Sequence, residues 1–238
     1  MENIDQDKIS NIEKQYQQYV SDVDNMIATG TVLVDHLVEM LRSWLNEDAT
    51  TPAMKIKINN YHDSIKNIKD DGTLDNIYKP VYKQSIVLLV SGFEVSMTNL
   101  FSLLVNEYPD AIHWDKQPDN KTFGIDINLI RYYNNIGDII SRSNHNINFQ
   151  DLQSTKRFLK DWLDIDIDTS SIQGDIIFAE AERNTIIHNG AVVDPNFLKQ
   201  VHNTQYSKAY KVNEHLDIDE KNYNSDNHFN FNINFFCR

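Results

Sequence analysis

Apolar residues recur every three or four positions along most of the chain, a spacing that predicts α-helices. Between Ile9 and Leu45 the apolar positions keep this period, and Gly30 predicts a break into two helices, either antiparallel or kinked. A further helix is predicted from about Met54, and Asp70-Asp71-Gly72 marks its end. The amino-terminal part of the chain is therefore expected to form helices.

The widest apolar stripe lies between Pro80, which is expected at a helix start, and Pro109. This segment is interpreted as the central helix of the core. After a loop-like stretch at 110–125, helices are predicted at about 126–142 and 151–163.

The carboxyl-terminal region changes character after Asp194-Pro195. Residues 206–218 alternate weakly between apolar and polar side chains around Asn213-Glu214, which predicts a small β-hairpin. From Asn222 onward, aromatic residues and asparagines alternate without a helical period, which fits a frayed tail, an edge strand or a truncated reading frame. The fold prediction is an all-α, up-and-down helical bundle with a hairpin-like appendage.

Composition narrows the class of protein. The length of 238 residues suits one helical domain with an appendage, and a single cysteine, Cys237, excludes an internal disulfide framework. The net charge of −13 argues against a general nucleic-acid binder, so any RNA binding requires a local basic strip. The candidate basic residues are Arg131, Lys156, Arg157, Lys160 and Lys199.

The best candidate for a membrane span, Ser85 to Val105, is interrupted by Glu94 and Asn99, and the polar amino terminus lacks a signal-peptide pattern. A cytoplasmic protein with no membrane partner is therefore expected. The chain has no glycine-rich phosphate loop and no zinc-peptidase or nucleophile-elbow motif, so neither a cofactor nor a metal is expected.

One stretch carries candidate chemistry. Arg183-Asn184 and His188 lie near the end of a helix predicted at about 171–189, with a capping box at 170–173 and a terminating Asn189-Gly190. Asn184 and His188 share one helix face, and Arg183 lies about 100° round the helix. His188 is at the negative end of the helix dipole, which favours the imidazolium form.

Arg183 occupies a position where the apolar series predicts an apolar residue, so its guanidinium is expected beside the core and requires a partner. That partner could be Glu180, Glu182 or a phosphate. Glu94 is either a solvated edge residue or a carboxylate that orients Arg183. The structural alternative is that Arg183 forms an ion pair while His188 caps the helix carbonyls.

The octapeptide Arg-Asn-Thr-Ile-Ile-His-Asn-Gly at 183–190, followed by an apolar stretch, Asp194 and the pair Phe197-Leu198, resembles the Arg-x(4–6)-His signature of the HEPN superfamily. Members of that superfamily are all-helical and frequently cleave RNA. The resemblance covers about residues 80–220. It suggests amino-terminal helices packing on the core at 1–72, a HEPN-like helical core at 79–200 and an extension at 201–238.

The resemblance implies a metal-independent endoribonuclease of a phage-defence or toxin system, which cuts RNA by attack of the ribose 2′-hydroxyl. Arg183 would bind the scissile phosphate and His188 would act as general acid or base. Asn184 would orient His188 or hold the phosphate, and Asn189 is a further candidate for substrate binding or orientation. HEPN ribonucleases pair about a two-fold axis, so a homodimer is expected. RNA such as a tRNA is the expected substrate, and a regulatory protein or antitoxin is a further expected partner. The alternative is a non-catalytic HEPN-fold module that mediates protein–protein interaction.

Overall fold

The computed structural model describes residues 6–47, 50–109, 135–143, 149–167, 169 and 173–218. Of the described part, 79% is helical and none is strand, which confirms the all-α prediction. The helices are α1 (Gln6–Asn46), α2 (Pro52–Asp70), α3 (Thr73–Glu107), α4 (Ile136–Ser143), α5 (Leu152–Leu163), α6 (Gln173–Asn189) and α7 (Pro195–Val201).

Helix α1 runs without interruption through Gly30, so the predicted break at this glycine is wrong. The glycine instead allows close packing, because a Cβ atom at position 30 would lie 1.9 Å from the Tyr78 hydroxyl of α3. Helix α2 ends at Asp70, as predicted. Thr51 caps its start, because the Thr51 side chain accepts a hydrogen bond from the Met54 amide.

Helix α3 begins at Thr73, so the prediction that Pro80 marks the helix start is also wrong. Gly72 adopts a left-handed conformation before it (φ 74°), and the Thr73 amide donates to the Asp71 carboxylate at 2.9 Å. Pro80 lies inside the helix, where its missing N–H leaves the Asn76 carbonyl without the usual intrahelical donor.

The prediction that α3 is the central core helix is confirmed. Its fully buried side chains include Phe93, Met97, Leu100 and Phe101, and it packs against α1, α4 and α6. Among the described helices, α3 is long and apolar enough to cross a membrane, with a mean hydropathy of 1.6 over its most apolar window. Because 56% of that window is buried within the protein, the helix also fits the core of a folded domain.

Helix α5 occupies the predicted span. Asp151 caps its start, because the Asp151 side chain accepts a hydrogen bond from the Ser154 amide at 2.6 Å. The helix predicted at 126–142 is described only from residue 136 onward, where α4 lies. The loop-like stretch at 110–125 and the tail from Asn222 lie outside the described residues.

The hairpin predicted within 206–218 is not confirmed, since this segment consists of turns and irregular backbone. It pairs instead with the chain that follows α6. The Asn213 amide donates to the Val193 carbonyl (2.9 Å), the Val193 amide donates to the Glu214 carbonyl (2.8 Å), and the Leu216 amide donates to the Ala191 carbonyl (2.9 Å).

Helix α4 crosses α3 at a point where only glycine fits. A Cβ atom at Gly137 would lie 2.2 Å from the Ser102 carbonyl oxygen, and the Gly137 amide already donates to the Asn106 side chain at 2.7 Å. A second bond joins the Ser102 and Ser141 hydroxyls at 2.8 Å. The two helix backbones are therefore in direct contact.

We expect Gly137→Ala to lower the free energy of unfolding by about 1–3 kcal/mol, the usual cost of overpacking. Urea denaturation followed by circular dichroism measures this difference. Gly174→Ala is the matched control, because its Cβ would approach only the movable end of Gln205. A Gly137→Ala variant as stable as the wild type would contradict the close α3–α4 contact.

Candidate active site at the carboxyl end of helix α6

Helix α6 ends at Asn189, as the sequence predicts. Gly190 and Ala191 both adopt left-handed conformations, with φ of 60° and 64°. The Ala191 amide donates to the Thr185 carbonyl, six positions earlier, at 3.0 Å, which satisfies one of the last carbonyls of the helix. Of the capping box predicted at 170–173, only Gln173 lies within the described residues.

Arg183 lies half-buried on this helix, and its environment differs from the predicted ion pair. Its Nη1 donates to the Asn184 side-chain oxygen at 2.9 Å. Its Nε is buried and has no hydrogen-bond partner within the part of the chain that the structure describes. In that same part, none of the carboxylates of Glu94, Glu180 and Glu182 forms an ion pair with the guanidinium.

His188 is exposed in the last turn of α6, and its ring hydrogen-bonds to none of the described residues. Asn184 shares its helix face and accepts a hydrogen bond from Arg183, and the hydrogen bonds of the described residues include none between Asn184 and His188. The Asn189 side chain donates to the Val192 carbonyl and thereby supports the turn. Arg183 and His188 thus both keep side-chain nitrogens that hydrogen-bond to none of the described residues.

Other residues of the signature have folding roles. The Asp194 side chain caps α7 by accepting a hydrogen bond from the Phe197 amide at 2.8 Å. The Phe197 ring is buried and packs edge-on against Phe178 of α6. These positions hold α7 against α6 just beyond the candidate site.

The sequence interpretation did not anticipate that Glu180 and Glu182 are buried, with only 6% and 2% of their surfaces exposed. The Glu180 Oε1 accepts a hydrogen bond from the Leu152 amide at 2.7 Å, which ties α6 to the start of α5. Burial raises the pKa of Glu180 to about 8; the Leu152 amide and the Arg183 charge oppose this shift, and Asp151 adds to it. Glu180 is therefore mostly uncharged at neutral pH.

A cleft of about 840 Å³ runs along α6 on the amino-terminal side of His188. Its lining includes Ile177, Glu180 and Asp151, but neither Arg183 nor His188. The most frequent lining groups are carboxamides, contributed by Gln150, Gln153, Gln173, Asn184, Gln200, Asn203 and Gln205. Asn184 therefore links the cleft to Arg183. The cleft joins three segments distant in the sequence, so no local motif could have revealed it.

The basic residues proposed as an RNA-binding strip mostly have local contacts. Lys156 donates to the Thr169 hydroxyl at 3.0 Å, and the Arg157 guanidinium lies 5.3 Å from the centre of the Phe158 ring. Lys160 forms an ion pair with Asp164 at 3.0 Å. Lys199 is exposed on α7, while Arg131 lies outside the described residues.

The chain matches no protein-family model, and it resembles none of the curated proteins and none of the solved structures with which it was compared.

Proposed function

We propose that this chain is a metal-independent endoribonuclease of the HEPN type, with Arg183 and His188 as its catalytic pair. One observation carries the proposal: among the described residues, the half-buried Arg183 guanidinium pairs with no carboxylate and its Nε has no hydrogen-bond partner, and Arg183 lies on the same helix end as the exposed His188. A half-buried guanidinium that pairs with no carboxylate in the described part of the chain favours an anionic ligand, and its planar donors match phosphate geometry.

The chemistry needs few protein groups. In RNA the 2′-hydroxyl is adjacent to the phosphorus, so the nucleophile is part of the substrate. His188 takes the proton from this hydroxyl or delivers one to the leaving 5′-oxygen, and Arg183 stabilises the negative charge that develops on the phosphoryl oxygens. The bond from the 2′-oxygen to phosphorus forms as the bond to the 5′-oxygen breaks, which leaves a 2′,3′-cyclic phosphate.

The proposal includes a homodimer. Cleavage benefits from both a base and an acid, whereas each chain offers one histidine at the helix end. Two copies related by a two-fold axis would bring two Arg183–His188 pairs together at the dimer interface. The exposure of His188 leaves the ring accessible to a second copy and to RNA. A role in phage defence or as a toxin, with a regulatory protein or antitoxin, rests on the sequence resemblance alone.

The direct test is incubation of the purified protein with total RNA and with tRNA in EDTA. We expect fragments that end in 2′,3′-cyclic phosphate and 5′-hydroxyl groups. The double variant Arg183→Ala/His188→Ala, purified identically, controls for contaminating nuclease. Intact RNA with the wild type, or equal cleavage by both proteins, would contradict the proposal.

A second candidate function is a non-catalytic helical module that binds another protein. It is favoured by an apolar stripe of α1, whose side chains are between 38% and 63% exposed: Leu33, Leu37, Met40 and Trp44. Their spacing of four, three and four residues places them on one helix face, as in helix–helix association. The RNA assay separates the two candidates, because a binding module would leave the RNA intact.

A further inference from the structure

The carboxamide-lined cleft is a feature that RNA cleavage by Arg183 and His188 does not explain. Seven of its lining side chains are Asn or Gln, and a carboxamide carries a hydrogen-bond donor beside an acceptor. Four of the seven use one of these groups within the protein: Gln173, Asn184 and Asn203 through their side-chain oxygens, and Gln205 through its nitrogen. A wall that carries amide donors and acceptors binds planar ligands whose edges present complementary groups, as Asn and Gln do with adenine. The volume of about 840 Å³ lies within the range of small-molecule sites, roughly 300–1,000 Å³.

Charge restricts the ligand further. The described residues that line the cleft include no lysine and no arginine, while Asp151 contributes a carboxylate. A phosphate inside the cleft would thus meet a negative charge without a compensating cation. Glu180 adds a carboxyl group to the cleft. Burial raises its pKa, so this group is mostly protonated and can both donate and accept a hydrogen bond. The site therefore favours an uncharged polar group.

The cleft also has an apolar wall. Ile177 lies on the same face of α6 as Glu180 and Asn184, and its half-buried side chain lines the cleft between polar neighbours. A flat heterocycle can pack against this side chain while its edges bond to the carboxamides.

We propose that this cleft binds a nucleobase. The base belongs either to a free nucleoside or to an RNA strand, and the shared chemistry is an uncharged heterocycle with donors and acceptors on its edges. In the RNA case the inference deepens the proposed function and rests on it. Asn184, which lines the cleft and accepts a hydrogen bond from Arg183, then places the bound base next to the phosphate-binding arginine.

Isothermal titration calorimetry with adenosine, guanosine, cytidine and uridine tests the site without relying on cleavage. We expect at least one nucleoside to bind saturably, and no tighter binding when a 5′-phosphate is added to it. Ile177→Trp, whose larger ring covers the apolar wall and occupies part of the cleft, should weaken binding at least tenfold. Ile187→Trp is the matched control, because Ile187 is exposed on α6 and does not line the cleft.

The source of the base is determined with an RNA hexamer whose riboses are all 2′-O-methylated and therefore cannot be cleaved. Weaker hexamer binding by Ile177→Trp assigns the site to RNA, whereas unchanged hexamer binding alongside lost nucleoside binding assigns it to free nucleosides. No saturable nucleoside binding, equal binding by Ile177→Trp, or equal binding of ribose alone would overturn the proposal. These readouts are independent of cleavage, so failure of the base site and failure of the nuclease are distinguishable.

Discussion

Replacing His188 by alanine is expected to slow RNA cleavage by about 10²- to 10⁴-fold, the usual contribution of a positioned general acid or base. The fold should be unaffected, since the side chain is exposed and hydrogen-bonds to none of the described residues. Cleavage of a fluorogenic RNA oligonucleotide in EDTA gives the rate, and thermal denaturation followed by circular dichroism checks the fold.

His202→Ala is the appropriate control for this experiment. His202 is also exposed and follows α7 as His188 ends α6, but it bonds only locally, to the Asn203 side chain at 2.9 Å. It should retain the wild-type rate. Equal rates for the His188 variant and the wild type would remove His188 from the mechanism, and equal losses in both histidine variants would indicate a general effect of removing an exposed histidine.

Replacing Glu180 by glutamine should make the protein more stable at high pH than the wild type. The pKa of Glu180 is about 8 in the folded protein, against an ordinary value of 4.5. Below pH 4.5 both the folded and the unfolded wild-type chains carry the proton, so the variant and the wild type should be similarly stable. Between the two pKa values only the folded chain keeps the proton on Glu180, so the free energy of unfolding of the wild type falls as the pH rises.

Above pH 8 the free energy of unfolding of Glu180→Gln should exceed that of the wild type by at most about 5 kcal/mol, since each pKa unit corresponds to about 1.4 kcal/mol. The glutamine oxygen can still accept the hydrogen bond from the Leu152 amide. Urea denaturation at pH 5, 7 and 9 measures the difference, with exposed Glu39→Gln as the control. A difference that stays constant with pH would show that Glu180 is ionised in the folded state.

The sequence pattern predicts helices well where apolar periodicity is long. The spans of α2 and α5 and the role of α3 follow from it. Helices α3 and α5 each bury one side, whereas α2 has the same apolar spacing although none of its residues is buried. It fails where a long-range contact decides the outcome. Gly30 looks like a helix breaker, but it accommodates the Tyr78 ring of another helix.

The candidate site shows the same division. The position of His188 at a helix end is predictable from Asn189-Gly190, since the left-handed residue acts locally. The partner of Arg183 is not predictable from spacing, because the adjacent Asn184 receives its hydrogen bond while Glu180 bonds to Leu152. The burial of Glu180 depends on the docking of α5, a feature of the tertiary structure.

The pairing of residues 191–193 with residues 213–216 has a consequence for biosynthesis. The Leu216 amide bonds to the Ala191 carbonyl, so these two groups leave the ribosome 25 residues apart. At about 5–20 residues per second this interval lasts roughly one to five seconds. During it α6 has been synthesised, but residues 191–193 do not yet have residues 213–216 to pair with. A nascent polypeptide that has not reached Leu216, or one terminated before it, therefore lacks the pairing that fixes residues 191–193 behind His188.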